Sequence, residues 1–146
     1  IKQGRIIMAG EINGTAIVVN NTTGVIVGQG DFTHTFGGTP IEIGNKSNGD
    51  NMVYLDGQLS AKQHVFAGEL TYNNDAQFRK VRADAFVGTQ DTYTLTYTGS
   101  GAVTDESFSG LFVPSGLSDA IPRSNKVATT ISFMSSGTVT ITAAAD

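Results

Sequence analysis

Asp91–Thr98 reads DTYTLTYT, and its alternation is strict. Tyr93, Leu95 and Tyr97 fall on one side of an extended chain, while Thr92, Thr94, Thr96 and Thr98 fall on the other. A period of two, carried by aromatic and β-branched residues, marks a strand with one dry and one wet face. The pattern recurs upstream in Asp31–Phe36 (DFTHTF), where Phe32, His34 and Phe36 share one face and Asp31, Thr33 and Thr35 the other. It recurs downstream in Gly137–Ala143 (GTVTITA), which sets Thr138, Thr140 and Thr142 on one side. Ser60–Thr71, Ser107–Val113 and Val127–Met134 also read as strands. Gly4–Gly10 (GRIIMAG) and Thr15–Asn20 (TAIVVN) are short apolar runs joined through Asn13-Gly14, a hairpin signal.

One segment breaks this rhythm. Residues 74–87 (NDAQFRKVRADAFV) place Phe78, Val81, Ala85 and Phe86 on a helical stripe. Asn74 is the expected N-cap, Gln77 stands at the capping-box position, and Gly88 supplies the stop. Arg79, Lys80 and Arg82 lie off the stripe. Residues 37–59 read as a long Gly-rich excursion with at most short strands and two apolar islands, Ile41 with Ile43 and Met52 to Leu55. Pro114–Lys126 reads as a loop with two prolines. The architecture expected is mainly β: one domain over residues 1–146, a β-sandwich or barrel with one flanking helix and a long inter-strand loop.

Composition agrees. Charged residues are 15% of the 146-residue chain, Gly and Thr number 18 each, and there is no cysteine. That excludes a disulfide scaffold and thiolate metal chemistry. A net charge of -4 opposes a gripping nucleic-acid binder, which needs a basic footprint. No apolar run approaches the ~18 residues of a bilayer span. No basic-then-apolar leader pattern opens the sequence, and no membrane association is expected.

The chain offers little for catalysis. His34 and His64 sit in strand patterns with no third ligand beside them. Gly28-Gln29-Gly30 is not followed by a helix, so a dinucleotide loop fails. Asn48-Gly49-Asp50-Asn51 lacks the spaced ligands of a calcium loop. Asp105-Glu106 are adjacent and point apart in an extended segment. No catalytic motif occurs. The expectation is a non-enzyme without cofactor or metal, whose function lies in its surfaces.

Several blocks, in order, resemble the major tail tube proteins of siphophages and gene-transfer-agent-like particles. They are Gly4-Arg5-Ile6-Ile7-Met8, the stretch IEIGNKSNGDNMVYLDG from Ile41 to Gly57, and QHVFAGELT from Gln63 to Thr71. The helix at 74–86, Phe108-Ser109-Gly110-Leu111-Phe112-Val113 and Ser135-Ser136-Gly137-Thr138-Val139-Thr140 complete the series. The resemblance implies a virion protein, present in the host cytoplasm before assembly. It implies a partner in itself, as hexameric rings stacked into a tube, and partners in tape measure, tail terminator and distal tail proteins. DNA would pass through the lumen without specific binding. On this reading the inter-ring or subunit interface takes Ile41, Ile43, Asn45, Lys46, Asn48, Asp50, Met52 and Tyr54. The lumen takes the polar strand faces, through Asp31, Thr33, Thr35, Thr94, Thr96, Thr138 and Thr140. A second reading is a β-sandwich binding module of a tail fibre or adhesin, recognising a receptor or carbohydrate. Such a module would need an aromatic platform, whereas Tyr93, Tyr97, Phe108 and Phe112 hold core-facing positions.

Overall fold

The structure, a computed structural model, describes residues 11–146; the expected strand Gly4–Gly10 lies outside the described residues. The strands are β1 (Ile17–Asn21), β2 (Gly24–Val25), β3 (Gln29–Glu42), β4 (Tyr54–Thr71), β5 (Asp91–Tyr97), β6 (Glu106–Ala120), β7 (Ala128–Ser135) and β8 (Thr140–Thr142). Among the described residues a single α-helix, α1 (Ala76–Val87), joins β4 to β5. The strands form one eight-stranded sheet ordered β2-β1-β5-β6-β7-β4-β3, with β8 on β6. Every pairing in it is antiparallel.

The alternating patterns bury as read. Tyr93 and Leu95 of β5, Phe108 and Phe112 of β6, Ile131 and Phe133 of β7, and Phe66 and Leu70 of β4 form the core with Val19. The rings of Phe66 and Phe112 stack at 4.6 Å, and Tyr93 meets Phe133 at 4.7 Å. The sheet curls so that its two ends meet. Phe32 of β3 reaches the ring of Phe133 at 6.3 Å, and His34 Nδ1 lies 3.1 Å from the Tyr97 hydroxyl of β5. The final closure is made by a side chain. Gln29 donates from Nε2 to the carbonyls of Val19 and Ile26, and its Oε1 accepts from Val19 N–H at 3.0 Å. Gly68 makes the curl possible, since a Cβ there would collide with the Asp31 carbonyl and the Phe32 ring.

Four expectations need correction. Asn13-Gly14 is not a two-residue hairpin turn. Asn13 Oδ1 caps a 3₁₀ turn, Gly14–Ala16, by accepting from Thr15 N–H at 2.9 Å. Gly14 is absent from the positive-φ glycines, and a type I′ turn requires positive φ. Residues 37–59 are not mostly loop, because β3 and β4 run through them and leave only 43–53 as the connection. Pro114 lies inside β6, which continues to Ala120. Proline fits there because that stretch of β6 pairs with β7 alone, so no ladder partner is lost on the other side.

The helix is the fourth. Its N-cap is Asp75, which accepts from Gln77 N–H at 3.3 Å, while Asn73 Oδ1 accepts from Asp75 N–H. Gln77 makes no capping box. Its Nε2 donates instead to the Thr23 carbonyl at 3.0 Å and ties α1 to the β1–β2 turn. Phe78 and Val81 are buried, but Phe86 is 70% exposed. Position 86 lies roughly 140° around the helix from Val81 at 100° per residue, so the last turn carries it off the sheet. Asp84 takes the buried place, held by Lys80 Nζ at 3.4 Å.

Candidate functional site

The most unusual element is an arm. β4 pairs with β7 only from Val65 onward. Beyond that point the β3–β4 pairing continues from Phe36↔His64 out to Glu42↔Tyr54, and neither strand has a second strand partner there. A lone two-stranded ribbon is marginal in water. This one also exposes Phe36, Ile43, Met52, Tyr54, Leu55 and Leu59. It is nevertheless well built. Asn45 Oδ1 accepts from Ser47 N–H, and Asn48 Oδ1 accepts from Asn45 N–H at 2.8 Å, closing a capped 3₁₀ turn over Lys46–Asn48. The Ile43 N–H donates to the Val53 carbonyl at 3.0 Å. Two register shifts bend the ribbon, with Gly57 (φ 72°) and Ala61 (φ 52°) in the left-handed region of β4.

The residues proposed for an interface all fall on this arm. Ile41 is half-buried on β3 and Tyr54 exposed at the start of β4. Ile43, Asn45, Lys46, Asp50 and Met52 are exposed on the connection, with Asn48 half-buried in its turn. The apparent calcium loop is part of that capped turn.

The proposed lumen residues divide into two groups. The register places Thr94 beside Ser109 and Ser109 beside Thr140; in the next row Thr96 meets Ser107 and Ser107 meets Thr142. Directly opposed residues share a face, so β5, β6 and β8 carry one continuous hydroxyl-bearing band. Within it the Thr94 and Ser109 hydroxyls are 3.0 Å apart. Thr138 is exposed just before β8, beside Gly110, where a larger side chain would meet the Thr138 carbonyl. Asp31, Thr33 and Thr35 are exposed on β3, separated from β6 by β4 and β7. They are not part of the band.

At the root of the arm lies a histidine pair that the spacing of the two residues gives no sign of. His34 Nε2 and His64 Nδ1 are 3.0 Å apart, and the rings stack at 5.2 Å. Phe108 packs against both. One N–H fills the space between the two facing nitrogens, so the two rings cannot both be charged in this arrangement. Burial lowers the pKa of each, and for His34 the neighbouring His64 lowers it further. A groove of ≈ 740 Å³ opens beside the pair where β1 and β3 diverge below Gln29. Among the described residues no three metal-ligating side chains stand together. Asp105 Oδ1 accepts from Gly99 N–H at 3.0 Å and fixes the turn before β6. Gln29, read only as part of a failed GxG, is the clasp of the barrel.

The sequence matches no family model and no curated protein. The fold does match solved structures. A chain of the virion of a native gene transfer agent particle aligns at a TM-score of 0.77 and 15% identity, covering 91% of this chain and 100% of that one. A chain from the tail of an empty gene transfer agent particle, a structure of C6 symmetry, aligns at 0.77 and 16% identity with the same coverage. The SPP1 tail tube aligns at 0.66 and 9% identity, covering 93% of this chain and 81% of that one. The chain has the tail tube fold.

Proposed function

We propose that the chain is a structural subunit of a phage-type tail tube. Copies associate into rings of six, the rings stack, and the stack encloses the channel through which DNA is delivered. The carrying observation is the arm. It is a capped, bent ribbon with six exposed large apolar side chains that its own chain leaves uncovered. Such a patch marks an interaction surface, and on this fold the simplest partner is another copy. Likeness to a tail of C6 symmetry supports the number six. The same reading places the protein in the virion tail after a period in the host cytoplasm. It gives the chain tape measure, terminator and distal tail partners and no catalytic role.

The test is negative-stain microscopy of concentrated protein beside a variant lacking 45–51. The wild-type chain is expected to form rings or tubes of uniform width. The deletion removes only the capped tip and should leave a folded, soluble subunit that does not polymerise. Wild-type particles that stay monomeric at high concentration would overturn the reading. A deletion variant that forms normal tubes would remove the arm from the interface.

A further inference from the structure

A second exposed apolar surface lies at the opposite end of the molecule from the arm. Tyr72 follows β4 and is 52% exposed, Phe86 on α1 is 70% exposed, and Ile121 after β6 is 79% exposed. They gather around Arg82. Its guanidinium lies 4.9 Å from the Tyr72 ring and 5.5 Å from the Phe86 ring, and is held by two hydrogen bonds to Asp119 at 2.9 and 3.2 Å. Ile121 stands two residues beyond Asp119. The 121–127 loop is fixed alongside, because Tyr72 N–H donates to the Val127 carbonyl at 2.9 Å. Arg123 and Lys126 on that loop are exposed and form no ion pair among the described residues.

The charges of the two ends are opposite. The arm, residues 36–64, carries Glu42, Asp50 and Asp56 against Lys46 and Lys62 and is net negative. Residues 121–127 carry Arg123 and Lys126 and no acid. Both ends present aromatic and aliphatic side chains amid these charges. The 18 residues of β4 separate them, up to ~60 Å at about 3.3 Å per extended residue. An arm that points away along its own strand does not reach the far end of its own chain. Only a second molecule brings the two surfaces together.

We propose that the end formed by Tyr72, Phe86, Ile121, Arg123 and Lys126 is the seat for the arm of a second copy of this chain. The contact is head-to-tail: Met52, Tyr54 and Leu55 of one copy cover the apolar side chains around Arg82 of the next, and Asp50 and Asp56 meet Arg123 and Lys126. Such a heterologous contact propagates instead of closing on a dimer. The inference rests on the tail tube reading and adds to it the surface that receives the arm.

Charge reversal tests it. One variant carries Asp50→Lys with Asp56→Lys, the other Arg123→Glu with Lys126→Glu. All four side chains are exposed, and none forms an ion pair among the described residues. Each variant alone opposes like charges and should need ~10-fold or more protein to assemble, measured by light scattering and microscopy. An equimolar mixture lets the arm of each variant meet a seat of opposite charge on the other and should assemble at a lower concentration than either variant alone. Assembly of the mixture also shows that both variants are folded. If each variant assembles alone like the wild type, or the mixture stays dispersed while wild type assembles, the seat is wrong and the self-assembly reading stands. If wild type itself does not assemble, both fall. A Met52→Cys, Ile121→Cys chain, in a protein with no native cysteine, gives an independent measurement. Oxidised assemblies should run as a ladder of disulfide-linked multimers, and a single monomer band counts against the seat.

Discussion

His34 and His64 share one N–H between facing nitrogens, and that limits how many protons the folded chain can take up. Both folded pKa values lie below the ordinary histidine value, near 6.5 in an unfolded chain. Below about pH 6.5 the unfolded chain therefore binds more protons than the folded one, and stability falls as pH falls. The predicted melting profile is flat just above neutrality and declines as pH falls through the histidine range. A second decline, below about pH 4, comes from Asp119, whose carboxyl is held low by hydrogen bonds from Arg82 and Thr129. A His34→Phe, His64→Phe chain should lose the first decline and keep the second; an unchanged first decline would mean that the pair does not titrate with folding. Little of this was legible beforehand. Two histidines 30 residues apart reveal a pair only once the β3–β4 register is known, and Gln29 shows its part only when the sheet has curled to meet Val19.

The helix separates what periodicity can and cannot supply. Phe78 is fully buried against Tyr72 at 5.3 Å between rings, so Phe78→Ala should destabilise by ~3–5 kcal/mol. Phe86→Ala should change chemical-denaturation stability by less than ~0.5 kcal/mol, as expected at an exposed site. Equal losses at the two positions would refute the packing described. The stripe in the sequence marked Phe78 and Val81 correctly and failed at Phe86, because an apolar residue in the last turn reads the same whether it meets the sheet or solvent. The strands were legible wherever Thr alternates with aromatics, as in β5. They were not legible in the arm, where Gly37, Gly38, Pro40 and Gly57 look like turn punctuation yet sit in a ribbon that tolerates bulges and needs few ladder bonds. Pro114 misled for the same reason: an unpaired strand edge accepts a proline that a central strand would reject.

For the whole molecule, the hydroxyl-bearing band makes a prediction about the assembled particle. Thr94, Thr96, Ser107, Ser109, Thr140 and Thr142 bear no charge, and a channel wall that held phosphates with cations would retain DNA at every ring. A map of the assembled tube should place this band on the channel wall, with no run of unpaired Lys or Arg around it; a net-basic wall, or a band on the outer surface, would count against it. Asp31, Thr33 and Thr35 belong to another part of the surface, so the map should assign them separately. Fold class was legible from alternation alone, but the grouping of polar faces depended on strand order, which no local pattern encodes. Strand order has a mechanical meaning as well. β4 runs without interruption from the arm to the residue preceding Tyr72, and the ladder from Val65↔Met134 to Thr71↔Ala128 fastens its inner part to β7. Ladder bonds lie perpendicular to their strands, so tension along β4 loads them together in shear instead of peeling them one by one. A pull on the arm is carried through the body like a load on a riveted lap joint, and a filament of such units would stretch or bend at its joints before any unit came apart.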